Sequence, residues 1–144
     1  RNILPLYNAA KVGSFNLYIC GHSDLNLKST TNIQVHGAVS YKEAINMEEK
    51  CDILVCICNS KGTQIPGKIY YCAGYNKPII IVLDGEYKKE LKEYFETFNR
   101  YILCENNEDS ILKAFTEAKA QIGKQQYIIN EQLTPEYMAY KILQ

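Results

Sequence analysis

The residue types best suited to binding an anion occur together in one short segment, residues 59–68, which reads NSKGTQIPGK. The apolar run 52–58 comes before it and a helix is predicted from Pro66, so this segment is a strand-to-helix loop. Free backbone N–H groups in such a loop bind phosphate, and a glycine lets the backbone approach the ligand closely. A lysine one turn into the helix adds a positive charge. We therefore predict an anion site formed by Gly62, Thr63, Gln64, Ile65 and Lys68.

The same segment also has a purely structural interpretation. Residues 62–66 can form a tight turn, and Lys68 can be an exposed charge on a helix surface. The following tyrosines either offer aromatic faces to a ligand or pack half-buried against neighbouring elements; they are Tyr70, Tyr71 and Tyr75. The residues alone leave both alternatives open.

Two glycines end other predicted strands. Gly21 follows the apolar run 15–20, and Gly37 follows the short run 33–36. In an open parallel sheet, ligands bind beyond the carboxyl ends of the strands, so both glycines lie on the predicted ligand side. Ordinary turn glycines are the alternative. His22 and His36 are at the same ends and are interpreted as structural or exposed side chains.

The six cysteines favour a packing role over a metal site. Most of them lie in or beside apolar strand-like runs, where a free thiol behaves as a small buried hydrophobe. Only two histidines are present, and no CxxC pair occurs. These features argue against a metal centre and indicate reduced core thiols in a cytosolic protein. Cys56 and Cys58 are predicted to share one face of a strand.

Helices and strands alternate along the whole sequence. Helices are predicted over 2–12, 41–50, 66–75, 86–98 and 108–122 and from Thr134, and strands over 15–20, 33–36, 52–58, 78–83 and 101–104. This order predicts βαβ units and a Rossmann-like three-layer α/β/α sandwich with a parallel sheet of about five strands. Ser40 with Glu43 forms a capping box, and Asn106 or Asn107 is expected to cap the helix from 108. Residues 123–130 are expected to connect to a docked terminal helix, so residues 1–144 form one domain.

Composition excludes several classes of protein. Apolar residues make up 47% of the chain, and 16 basic residues balance 16 acidic ones. A neutral chain offers no electrostatic surface for nucleic acid or membrane. No apolar run approaches the length of a membrane span, and the N-terminal residues lack the blocks of a secretory signal. Because the chain begins at Arg1 instead of Met, we expect a fragment or a processed form of a longer protein.

Five segments follow one another in the order and spacing of a known family. They are LYICG (17–21), VHGAVSYKEA (35–44), CDILV (51–55), IPGKIYYCAGYNKPII (65–80) and ILCENNEDSILKAFTEA (102–118). Together they resemble the C-terminal, nucleotide-sugar-binding domain of the group 1 (family 4) retaining glycosyltransferases, which have two Rossmann domains (the GT-B fold). The resemblance covers nearly the whole chain.

The resemblance implies a nucleotide-diphosphate-sugar, such as a UDP- or GDP-sugar, as donor substrate, with no cofactor and no metal. It places the nucleobase against Gly37, Ala38 and Val39, with Gly21 beside the ligand. In the full enzyme, the sugar would pass with retention to a saccharide or lipid-linked acceptor, and stabilisation of the leaving diphosphate would be largely electrostatic. An N-terminal acceptor-binding domain and the basic residues that neutralise the diphosphate would lie upstream of Arg1, so this segment alone should be inactive. The parent enzyme would be cytoplasmic, at the inner membrane face, and would act in cell-envelope polysaccharide synthesis.

The sequence departs from the family pattern at its paired glutamates. The family carries an E-x7-E pair whose second member binds the donor ribose; the matching positions here are Thr63 and Tyr71. A phenol offers one hydroxyl where a carboxylate accepts two hydrogen bonds side by side. A nucleotide-binding or sensing module without transferase activity is therefore an alternative. A nucleoside 2-deoxyribosyltransferase-like enzyme is another, although residues 62–74 lack the nucleophilic carboxylate it needs.

Overall fold

The computed structural model describes residues 1–128 and 130–143. Its strands are β1 (Leu17–Ile19), β2 (Ile33–Val35), β3 (Leu54–Ile57), β4 (Ile79–Leu83) and β5 (Ile102–Glu105). Its helices are α1 (Leu4–Val12), α2 (Tyr41–Lys50), α3 (Gly67–Cys72), α4 (Lys88–Glu96), α5 (Glu108–Gln121) and α6 (Pro135–Leu143), with a 3-10 turn at Glu131–Leu133. The chain is therefore a mixed α/β protein, as its alternating pattern predicted.

The strands form two small parallel sheets. β1 pairs with β2 in one sheet, and β3, β4 and β5 form the other in that order. The prediction of a single sheet of about five strands is wrong, because no ladder between described residues joins the two sheets. β1 and β2 contain three residues each, so few backbone bonds fix their position. They pack on the larger sheet through side chains instead: Leu17 and Ile33 belong to the same buried cluster as Ile80.

β4 is the centre of the larger sheet. All five of its side chains are buried, as expected for a strand covered on both faces. Ile80 and Val82 point into the cluster that contains α1 and α5 side chains. Ile79 and Ile81 point the other way, into a cluster with α3 and α4 side chains. Helices therefore cover both faces of the larger sheet, an arrangement compatible with a Rossmann-like fold.

The predicted helix caps are present. Glu43 N–H donates to Ser40 Oγ at 3.2 Å, and Ser40 N–H donates to the Glu43 carboxylate at 2.8 Å. Asn107, one of the two candidates, caps α5 by accepting from Ser110 N–H at 2.9 Å. Such caps satisfy N–H groups that have no partner within the helix.

α3 is shorter than its sequence pattern predicts. A helix over 66–75 was expected, but Pro66 is the cap residue and the helix ends at Cys72. Beyond it, the buried Arg100 guanidinium donates to the carbonyls of Ala73, Tyr75 and Lys77 at 3.3, 2.6 and 3.0 Å. A side chain from the segment before β5 thus satisfies carbonyls that have no partner within a helix.

Candidate functional site

The loop after β3 has free hydrogen-bond donors. The Asn59 side-chain amide donates to the carbonyl of Gln64 at 3.0 Å, which closes the loop on itself. Gly62 has a φ of +74°, a conformation that glycine adopts without strain. Within the described part of the chain, no hydrogen bond uses the backbone N–H groups of residues 62–65. Residues 62–64, which carry three of these four donors, are exposed, and Ile65 is half-buried.

A positive charge lies beside this loop. Arg1 Nε donates to Asn59 Oδ1 at 3.2 Å. The next residue is fixed as well, because the Asn106 amide donates to the carbonyl of Asn2 at 2.9 Å. The N-terminal segment therefore crosses the carboxyl ends of β3 and β5. The sequence gave no local signal for this placement of Arg1, because the contact spans 58 positions.

The loop after β4 supports the loop after β3. Gly85 has a φ of +79°, and a Cβ at this position would lie 2.8 Å from the carbonyl oxygen of Ser60. Asp84 accepts hydrogen bonds from Gly85 N–H at 2.9 Å and from Asn106 at 3.0 Å. Three strand ends are thus packed together at one edge of the sheet, which is the edge where ligands bind in this class of fold.

Lys68 is not an isolated cation. Its ammonium forms an ion pair with Glu48 of α2, a residue that the sequence did not single out. Burial alone would lower the pKa of Lys68, but the hydrogen bond and the charge of Glu48 outweigh it and raise the pKa above its ordinary value. The Glu48 side chain is only 12% exposed and also accepts from the Tyr75 hydroxyl at 3.0 Å.

Two exposed tyrosines adjoin this ion pair. Tyr41 is 75% exposed and Tyr71 is 47% exposed. Interaction with the neighbouring Tyr71 side chain raises the pKa of Tyr41. The Lys68 ammonium lies 5.3 Å from the centre of the Tyr71 ring, and the Tyr75 ring meets that ring edge-on at 6.1 Å. We call these residues the α2–α3 cluster: Tyr41, Glu48, Lys68, Tyr71 and Tyr75.

The predicted site residues fall into separate groups. Gly21 N–H donates to the carbonyl of Gly37 at 3.1 Å, which brings the ends of β1 and β2 together. Ala38 is exposed and Val39 is half-buried beside them. Residues 62–65 form the loop after β3, while Lys68 and Tyr71 belong to the α2–α3 cluster. Tyr70 is turned away from that cluster, and its hydroxyl is 3.0 Å from that of Tyr94.

The thiols are mostly withdrawn from solvent. Cys56, Cys58, Cys72 and Cys104 are buried, whereas Cys51 is half-buried and Cys20 is exposed. Burial raises the pKa of Cys58 to about 11 and that of Cys104 to about 12, so neither is a ready nucleophile at neutral pH. The prediction that Cys56 and Cys58 share one face is confirmed, since both belong to the same cluster. Among residues 1–128 and 130–143, no group of three or more His, Cys, Asp or Glu side chains could hold a metal ion.

Comparison with known proteins gives no match: no family model, no curated protein and no solved structure matches this chain. No helix in the described part of the chain is long and apolar enough to cross a membrane. The assignment of function therefore depends on the motifs of the sequence and on the geometry of the strand ends.

Proposed function

We propose that residues 1–144 are the donor-binding domain of a retaining glycosyltransferase, and that they bind a nucleotide-diphosphate-sugar. One observation carries the proposal: unpaired backbone N–H groups of residues 62–65 lie in a loop that Asn59 joins to the Arg1 guanidinium. Backbone donors beside a positive charge are what a diphosphate requires.

Each part of the ligand has a place in this proposal. The diphosphate contacts the N–H groups of residues 62–65 and the guanidinium of Arg1. Lys68 is paired with Glu48, so it contacts the diphosphate only when that ion pair breaks. The nucleobase rests against residues 37–39, next to Gly21. Arg1 thereby neutralises the diphosphate, a role that the family resemblance assigned to basic residues upstream of it.

In the full enzyme, an N-terminal domain would bind the saccharide or lipid-linked acceptor. When the bond between the sugar and the diphosphate breaks, negative charge develops on the departing nucleotide. Fixed donors and a cation around the diphosphate stabilise that charge. The domain described here would hold the donor and supply this stabilisation, in the cytoplasm, for cell-envelope polysaccharide synthesis.

The test is a titration of the 144-residue chain with UDP, GDP, ADP and their sugars, by calorimetry and thermal shift. At about 100 times Kd, a ligand that binds only the folded chain stabilises it by about 2.7 kcal/mol. We expect one base to give a shift that Arg1→Gln weakens and that Lys89→Gln, an exposed control on α4, leaves unchanged. No shift with any nucleotide at millimolar concentration contradicts the proposal.

A nucleotide-sensing module without transferase activity is the second candidate. The observation that favours it is Tyr71, since the family pattern has a carboxylate at that position. The same titration separates the candidates. A donor domain binds the nucleotide-sugar and the nucleotide with comparable affinity. A nucleotide sensor binds the nucleotide-sugar more weakly than the nucleotide, because its site has no place for the sugar.

A further inference from the structure

Two sulfur atoms meet between the end of β1 and α2. The Cys20 thiol, directly after β1, donates to the thioether sulfur of Met47 on α2, and the two sulfurs are 3.4 Å apart. The proposed function uses neither of them. A thiolate and a thioether are both soft ligands, and such ligands favour Cu(I) over hard divalent cations.

His36 is the neighbour of Cys20 across the small sheet. Ile19 pairs with Val35 in the parallel ladder, and the His36 N–H then donates to the Ile19 carbonyl at 2.8 Å. The residues that follow this pair, Cys20 and His36, therefore lie opposite one another. Adjacent strands are about 4.8 Å apart, so their side chains start at neighbouring points.

Both side chains lie on the face of the small sheet that α2 contacts. Ile19 and Val35 pack against the buried cluster that contains α1 and α5 side chains. Because successive side chains of a strand alternate between faces, Cys20 and His36 point the other way, to the side where Met47 contacts Cys20. Met47 completes a ligand set that His, Cys, Asp and Glu alone do not form in the described part of the chain.

The His36 imidazole has a nitrogen without a partner. Its Nε2 atom is buried, and no hydrogen bond from the described residues reaches it. A buried polar atom that lacks a partner costs free energy. Imidazole nitrogen is also the commonest protein ligand for metal ions. A metal ion bound beside Cys20 and Met47 would supply the missing partner.

We propose that Cys20, His36 and Met47 bind one Cu(I) ion between the small sheet and α2. Metal–sulfur bonds of about 2.3 Å place two sulfur ligands on one ion roughly 4 Å apart. The sulfurs are 3.4 Å apart, so a small rotation of the flexible Met47 side chain is enough to admit the ion.

Charge and ligand type are consistent with Cu(I). The ion replaces the thiol proton of Cys20, which leaves to solvent, so the net charge of the site does not change. Zn²⁺ is disfavoured because its protein ligands are thiolate, imidazole and carboxylate, and not thioether. The proposal is independent of nucleotide binding, since none of its three residues contacts the diphosphate in the proposed function.

The experiment uses the reduced 144-residue chain in the absence of oxygen, with Cu(I) supplied as its complex with the chelator bathocuproine disulfonate. Competition between chain and chelator gives the affinity and the number of ions bound. We expect one ion to be bound, and X-ray absorption at the copper edge to show sulfur and nitrogen ligands together.

Substitutions separate this site from binding by thiols alone. Met47→Leu keeps the volume of the side chain, so it removes the thioether with little effect on folding. Met47→Leu and His36→Gln should each weaken Cu(I) binding by about tenfold or more. Two matched controls should keep the native affinity: Met138→Leu changes the other methionine, and His22→Gln changes an exposed histidine.

Two results would overturn the proposal. One is the absence of Cu(I) binding in the competition. The other is an affinity that Met47→Leu and His36→Gln leave unchanged, since the ion would then be held by thiols elsewhere. The same titration with Zn²⁺ should not depend on Met47, and a Zn²⁺ affinity that falls in Met47→Leu would contradict the choice of Cu(I).

Discussion

Asn59 accepts a hydrogen bond from Arg1 Nε at 3.2 Å, although the two residues are 58 positions apart. The same side chain donates to the carbonyl of Gln64 at 3.0 Å. One amide thus fixes both a cation and the shape of the loop after β3. The two groups proposed to bind a diphosphate are therefore held by a single residue.

Asn59→Ala should weaken nucleotide binding by about tenfold, because the loop and Arg1 lose their common partner. Stability should fall by only about 1 kcal/mol, the usual contribution of such hydrogen bonds. Calorimetric titration and urea unfolding measure the two effects. Asn46→Ala, at an exposed position of α2, is the matched control. An unchanged Kd in Asn59→Ala would show that the loop binds nothing through this arrangement.

Gly85→Ala should destabilise the protein by about 2–3 kcal/mol, since a positive φ and a close contact with the Ser60 carbonyl act together. Gly62→Ala should cost about 1 kcal/mol, because its φ is positive but a Cβ there meets nothing within 4 Å. Gly67→Ala, with open space and no positive φ, should be neutral or slightly stabilising. Urea unfolding of the three variants measures this order, and equal losses for Gly85 and Gly67 would contradict it.

Arg100→Met should cost about 2–4 kcal/mol, because three carbonyls beyond α3 lose the guanidinium that they share. Arg100→Lys should cost nearly as much, since one ammonium cannot reproduce the planar fork. Lys89→Met, exposed on α4, should stay within about 0.5 kcal/mol. Chemical denaturation gives all three values. A fully stable Arg100→Lys protein would show that charge alone, without the fork geometry, suffices.

Local sequence rules predicted the elements well. The capping box of Ser40 and Glu43 and the apolar run of β4 were correct, because both depend on residues close together in sequence. The single sheet was wrong, since nothing in a local pattern states which strands share a ladder. α3 was predicted too long, and the carbonyls that follow it are bound by Arg100, a contact over 23 to 27 positions that no local pattern states.

The candidate site was predicted only in part. The loop of residues 62–65 follows from a glycine and a proline between two apolar runs, which is a local signal. The partners of the charged groups are not local. Glu48 is 20 positions from Lys68, and Arg1 is 58 positions from Asn59. These contacts depend on tertiary packing, so neither Glu48 nor Arg1 could be singled out from spacing.

Thiol labelling should report the burial of the cysteines. With Ellman's reagent at pH 8, Cys20 should react first and Cys51 more slowly, because one is exposed and the other half-buried. Even Cys20 should react slower than a free thiol, since partial burial and the neighbouring Cys51 raise its pKa. The four buried thiols should react only in denaturant. Cys20→Ser should abolish the fast phase, and a fast phase of several thiols would contradict the buried core.

The capping box should make stability depend on pH in the acid range. Hydrogen bonds from Ser40, first from its side chain and then from its backbone N–H, hold the pKa of Glu43 below its ordinary value of 4.5. A carboxyl whose folded pKa is lowered stabilises the fold fully above its unfolded pKa. That stabilisation is lost as the pH falls through the folded pKa.

The melting temperature of the native sequence should therefore exceed that of Glu43→Ala by a constant margin near neutral pH. The margin should narrow as the pH falls below about 4.5, because a protonated carboxyl accepts hydrogen bonds less strongly. Carboxyls shared by both proteins titrate equally in each and cancel in the comparison. In a Ser40→Ala background the pH dependence of the margin should become weaker but persist, because the side-chain hydrogen bond is lost while the backbone N–H of residue 40 still donates to Glu43. A margin that widens in acid would mean that Glu43 is destabilising when charged, against the geometry of the cap.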